Sequence, residues 1–124
     1  MPDQINIERF ISSTFRSVWD LELLLELSGT PDESRTTAQL VSALRASDVV
    51  VAKGIDTLLA AGLILEEGDG TVRFAPASKE LAASVAGSLE LYRAKPDAVR
   101  RRIIASSTRG LEAFSEAFRI VGDK

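Results

Sequence analysis

The sequence contains no cysteine and no histidine, and its 124 residues include only one tryptophan and one tyrosine. Without cysteine the chain has no means of forming a disulfide or a thiolate metal site. Without histidine it lacks both the commonest metal ligand and the usual general base at neutral pH. These absences predict a protein that is not an enzyme, that binds no metal and that needs no cofactor.

Long apolar runs are also missing from the sequence, so no membrane span is expected. The first residues, Met-Pro-Asp, lack the basic and apolar stretches of a secretion signal, and a cytoplasmic location is therefore expected. Hydrophobic residues make up 45% of the chain and charged residues 27%, which suits one globular domain with a real core. The net charge of −3 is unevenly spread, because acidic residues predominate over residues 1–92 and basic residues over residues 93–119.

A long first helix is predicted over residues 5–28, where apolar residues recur at spacings of three and four. Between Val18 and Leu27 the apolar side chains point in almost every direction, and such a helix is buried on several sides. Two interpretations remain open: a dimer interface anchored by Trp19, or a central helix of the core that Trp19 helps to fill. The candidate dimer interface joins this helix to the apolar stripe of the C-terminal segment: Phe15, Trp19, Leu23, Leu24, Leu27, Leu111, Phe114 and Phe118.

Helix caps predict the next two helices. Thr36, with Gln39 three residues later, is typical of a capping box. Ser47 is a cap residue in a short break, and it predicts a third helix from about Asp48 to Ala61. The two helices are therefore expected to be joined by a tight turn.

Turn residues predict a β-hairpin followed by further helices. Apolar and polar residues alternate over residues 63–67 and 71–75, on either side of Gly68-Asp69-Gly70, which is a hairpin signal. Ser78 is expected to cap a fourth helix, and Pro96 to end it and start a fifth.

This order of elements resembles the winged helix-turn-helix family of transcription regulators, and its MarR and PadR groups in particular. The similarity lies in Thr36–Arg45 as the second helix, Ala46-Ser47 as the turn, Asp48–Ala61 as the recognition helix, and "LLAAGLI" (Leu58–Ile64) as the junction with the wing. The "VWDLELLL" start and "KPDAVRR" tail also resemble a small alphaproteobacterial subfamily, which implies no particular activity.

The resemblance implies a mainly α fold with a small two- or three-stranded antiparallel β wing. Residues 1–92 are expected to form the winged helix-turn-helix core with its N-terminal helix. Residues 93–124 are expected to form a basic helical extension of the same domain, which serves dimerisation. The function implied is that of a homodimeric, DNA-binding transcription regulator in a bacterial cytoplasm.

In such regulators the recognition helix enters the major groove of double-stranded DNA. The candidate DNA-contacting residues are the cap and outward positions of that helix and one wing residue: Ser47, Asp48, Val49, Ala52, Lys53, Asp56, Thr57 and Arg73. Only Lys53 and Arg73 in this set are basic, and the wing is acidic, whereas neutralised phosphates supply much of the affinity for DNA. The alternative is therefore a winged-helix module that binds a protein and has no affinity for DNA.

The C-terminal part of the chain carries a basic cluster: Arg93, Lys95, Arg100, Arg101, Arg102 and Arg109. One interpretation is a surface for phosphates or for an acidic protein partner. The other is a solvated helix face, or one that neutralises the acidic first part of the same chain or of a second copy. The sequence leaves both open.

Overall fold

The computed structural model describes residues 3–107, which form six helices and one two-stranded antiparallel sheet. This confirms the expectation of a mainly α fold with a small β-hairpin. No helix in this range is both long and apolar enough to cross a membrane. In chain order the elements are α1 (Gln4–Thr14), α2 (Val18–Ser28), α3 (Thr37–Leu44), α4 (Asp48–Ala60), β1 (Ile64–Glu66), β2 (Val72–Phe74), α5 (Lys79–Ala94) and α6 (residues 96–107).

The prediction of one continuous helix over residues 5–28 is wrong, because the chain breaks between α1 and α2. Phe15 has extended backbone angles (φ −94°, ψ 125°), and its side chain is buried. Ser17 caps α2 in a capping box with Asp20. The side chain at the third helical position thus binds the backbone before the helix, and this favours a new helix start over continuation.

The predicted caps of α3, α4 and α5 are confirmed. The side-chain oxygens of Thr36, Ser47 and Ser78 each accept a backbone N–H from the first turn of the helix that follows. Arg45 ends α3 in the left-handed region (φ 55°). This conformation reverses the chain within a few residues, so α4 starts almost immediately after α3.

The core is centred on α2, which packs most extensively against α4. Leu21, Leu24 and Leu27 are fully buried. α4 presents Gly54 to α2, and a Cβ built on Gly54 would lie 2.9 Å from Cδ2 of Leu23. The absent side chain therefore lets the two helices approach closely.

Four residues of the candidate dimer interface belong to this core. Phe15, Leu23, Leu24 and Leu27 are each at most 2% exposed within a single chain. A side chain covered by its own chain is not free to contact a second copy, so the interface assignment of these four is corrected to the core-helix interpretation. Trp19 is the exception, with 41% of its surface exposed. Leu111, Phe114 and Phe118 lie outside the described residues.

The hairpin is shorter than predicted, with three residues in each strand. Ile64 pairs with Phe74 and Glu66 with Val72, and Gly70 supplies a positive φ of 86° in the turn. Arg35 adds an isolated antiparallel bridge to Val72, through N–H···O distances of 2.8 and 2.9 Å. The backbone before α3 is thereby fixed to the outer side of β2, which ties the hairpin to the start of the α3–α4 pair.

Candidate nucleic-acid interface

The structure places most of the candidate DNA-contacting residues together on one exposed face of α4. Ser47 caps the helix, and Thr57 is half-buried at the edge of the face. Val51, Ile55 and Leu58 face the core, which leaves the opposite side of the helix to solvent. The exposed residues of this α4 face are Asp48, Val49, Ala52, Lys53 and Asp56.

The charges on the α4 face are few and mixed. Lys53 is its only cation, and no carboxylate of the described chain lies within ion-pair distance of its ammonium group. Asp48 and Asp56 are its anions. Val49 is 62% exposed, so the front of the helix offers an apolar contact next to a single positive charge.

The one basic residue of the hairpin is paired with a carboxylate of the same hairpin. Nε of Arg73 lies 2.6 Å from Oε1 of Glu67, an ion pair that occupies the only basic residue of the hairpin. At its tip, Asp69 accepts hydrogen bonds from the backbone and hydroxyl of Thr71, and these lower the pKa of Asp69. Glu66 is exposed. The hairpin is therefore acidic at neutral pH, and Arg73 is engaged within its own chain.

A groove of about 1020 Å³ runs between α4 and the joint of α1 with α2. Lys53, Asp56 and Thr57 border it from the α4 face, Arg16 borders it from the joint (residues 15–17), and Asp20 borders it from the first turn of α2. The sequence interpretation missed Arg16, because one continuous helix gave no reason to bring the joint beside α4. The signal was nevertheless present in Ser17-x-x-Asp20, a capping-box pattern ahead of an apolar run.

Asp20 holds the joint together. Its Oδ2 accepts the backbone N–H groups of Arg16 (2.8 Å) and Ser17 (3.2 Å). The residue is only 3% exposed. Burial raises the pKa of the Asp20 carboxyl, while the two backbone N–H donors and the nearby Arg16 charge act in the opposite direction. The charged form is therefore held at a cost in desolvation.

Asp20→Asn is expected to change how the free energy of unfolding varies with pH. Because the pKa is raised in the folded state, Asp20 stabilises the fold most below its unfolded pKa of about 3.9, and this contribution is lost as pH rises through the raised value. The stability of the parent relative to Asp20→Asn should therefore fall as the pH rises from about 4 through the raised folded-state pKa of Asp20. Urea unfolding at several pH values measures the difference in the free energy of unfolding. An increase in the stability of the parent relative to the variant with rising pH would contradict the prediction.

Asp20→Ala separates this electrostatic effect from the hydrogen bonds. Alanine removes the acceptor altogether and leaves the N–H groups of Arg16 and Ser17 without their partner. A loss of about 1–2 kcal/mol is expected at every pH, as for other helix caps. Asparagine keeps one acceptor oxygen, so its loss should be smaller.

The basic cluster is partly neutralised by its own chain. Nη1 of Arg100 lies 3.2 Å from Oδ1 of Asp97, and the guanidinium group also stacks over the ring of Tyr92. The hydroxyl of Tyr92 in turn donates a hydrogen bond to Glu22. Arg102 lies 3.3 Å from Glu8. Within residues 3–107, the side chains of Arg93, Lys95 and Arg101 are exposed and make no ion pair. Arg109 lies outside the described residues.

A second, smaller groove of about 530 Å³ lies beside Trp19, where α2, α3 and α6 meet. Its walls include Val18, Leu44 and Arg100. Trp19 thus borders a recess whose walls are apolar except for Glu22 and Arg100, and none of these residues lines the groove that Arg16 and Lys53 border.

No group of three or more acidic side chains converges in the described range as a metal site would require. Neither the protein-family models nor the curated proteins yield a match to this sequence.

Proposed function

We propose that this chain is a winged helix-turn-helix protein that binds duplex DNA through the α4 face and regulates transcription. The observation that carries the proposal is the exposure of this face on a helix that follows α3 after a tight turn and precedes a hairpin. A rigid helix that is buried on one side and free on the other suits insertion into the major groove. Lys53, near its centre, is the residue best placed to contact DNA.

The proposed protein acts as a homodimer, because two-fold symmetry lets two such helices read half-sites about 34 Å apart. Since the core holds Phe15, Leu23, Leu24 and Leu27, the proposed contact uses Trp19 together with the C-terminal residues Leu111, Phe114 and Phe118. Trp19 is an exposed aromatic beside a recess that Val18, Ala43 and Leu44 help to line, and tryptophan is among the side chains that dominate binding at interfaces.

Titration of labelled duplex DNA with the full chain tests the DNA proposal. We expect binding at low salt that weakens steeply as salt is added, because contacts with phosphates release counterions. Lys53→Gln should reduce affinity about two- to fivefold, as expected for one exposed charge contact. An absence of duplex binding at low salt and micromolar protein would contradict the proposal.

A second candidate function is binding of a protein partner through the same α4 face. Two observations favour it: Arg73 is engaged by Glu67, and Val49 is 62% exposed on a face that also carries Asp48 and Asp56. Such a partner would bind independently of DNA and would lose affinity on Val49→Asp. The same change at Leu65, another exposed apolar residue on the hairpin, is the matched control and should leave that partner bound.

A further inference from the structure

We infer that Arg16 is a second contact for DNA phosphate, acting beside Lys53 across the groove between α4 and the α1–α2 joint. This inference rests on the proposed function and adds a residue to its binding surface. Arg16 lies outside the recognition element that the sequence indicates, and only the fold brings it there.

The backbone of Arg16 is fixed in position. Its N–H donates to the buried Asp20 carboxylate at 2.8 Å, and the next N–H, of Ser17, donates to the same oxygen at 3.2 Å. The joint also follows Phe15, whose side chain is locked in the core. The guanidinium group of Arg16 therefore extends from an anchored point of the surface.

The joint is held against α4 at the position that adjoins Lys53. A Cβ built on Gly54 would lie 3.3 Å from Oδ1 of Asp20, so the carboxylate that anchors Arg16 lies almost against the α4 backbone. Lys53 is the neighbouring residue in the chain and points to solvent. Arg16 and Lys53 consequently border one groove from its two sides.

The chemistry of this pair suits a phosphodiester. Both side chains are exposed and, within the part of the chain that the structure describes, neither has a carboxylate within 4.0 Å. Arginine offers planar paired donors to phosphate oxygens, and lysine adds a point charge. Of the two carboxylates that border the groove, Asp20 is buried and bound to backbone, whereas Asp56 is exposed and opposes an anion.

The experiment compares the parent with Arg16→Gln and Lys53→Gln, using a labelled DNA duplex at several salt concentrations. Arg16→Gln should weaken binding about two- to fivefold and reduce the slope of log affinity against log salt by about 0.9, as expected for one lost phosphate contact. Arg9→Gln is the matched control, since Arg9 is an exposed arginine of α1 that does not border the groove. It should leave both quantities nearly unchanged.

Asp56→Asn is expected to change the affinity for DNA in the opposite direction from Arg16→Gln. Removing the only exposed carboxylate of the groove should strengthen DNA binding about twofold or more. A general loss of folding would weaken binding, so an increase in affinity has to come from the changed charge. If the parent binds DNA and Arg16→Gln behaves like Arg9→Gln, the inference on Arg16 is overturned while the proposed function stands. If the parent does not bind DNA, both are overturned.

Discussion

Gly54→Leu is expected to destabilise the fold by about 3 kcal/mol, at the upper end of the effect of overpacking a core. The new Cβ would lie 2.9 Å from Cδ2 of Leu23 and 3.3 Å from Oδ1 of Asp20. Leu23 has little space to move, because it is itself 1% exposed. The gain of about 1 kcal/mol from replacing glycine in a helix offsets only part of the loss.

The same substitution at Gly68 is the matched control. A Cβ built there meets nothing within 4 Å, so Gly68→Leu should change stability by about 0.5 kcal/mol or less. Urea unfolding followed by circular dichroism measures both variants. Equal stability of Gly54→Leu and Gly68→Leu would show that α2 and α4 are not held in close contact at Gly54.

Gly54→Leu also tests the proposed DNA binding, because the α2–α4 contact holds the two sides of the groove that Arg16 and Lys53 border. If Gly54→Leu remains folded at low temperature, it should bind duplex DNA more weakly than the parent. Its slope of log affinity against log salt should also be smaller, close to that of Arg16→Gln. Gly68→Leu should bind like the parent.

Leu24→Ala is expected to cost about 2–5 kcal/mol, the range found when a buried leucine is truncated. Leu24 is 0% exposed and belongs to the core cluster centred on α2. The loss combines the transfer free energy of the deleted carbons with the cost of the cavity that remains. For a domain of this size, it is a large fraction of the usual total stability of about 5–15 kcal/mol.

Leu65→Ala makes the same chemical change at a leucine that is 45% exposed, and its cost should be about 0.5 kcal/mol or less. Thermal or urea unfolding at two protein concentrations completes the test. If Leu24 served an interface between copies, the loss would appear as a change in concentration dependence. A core role predicts the same loss at both concentrations.

Local signals were sufficient for much of the secondary structure. The capping boxes and caps at Thr36, Ser47 and Ser78 depend on residues three positions apart, and the hairpin depends on glycines in a short turn. Such signals act within one turn of chain and are readable without knowledge of the rest. The break before Ser17 was equally local, but the long apolar run after it favoured a single helix and hid the cap.

The placement of the candidate binding residues was only partly predictable. Helical periodicity identified the exposed face of α4, since residues that face outward recur with the helical repeat. The pairing of Arg73 with Glu67, six residues away across the hairpin, was not predicted, because side-chain partners in a sheet depend on its register. The sequence accordingly did not indicate that Arg73 is engaged by a carboxylate of its own hairpin.

The sequence by itself determined where most helices begin, where the chain turns, and which side of α4 faces solvent, because each depends on neighbours within a few residues. Only the tertiary structure decided that α2 lies within the core and that Arg16 borders the same groove as Lys53. A helix with apolar residues on every side is expected to be buried, but its sequence does not identify the segment that packs against it. Whether that segment is α4 or a second copy depends on packing between segments far apart in the chain.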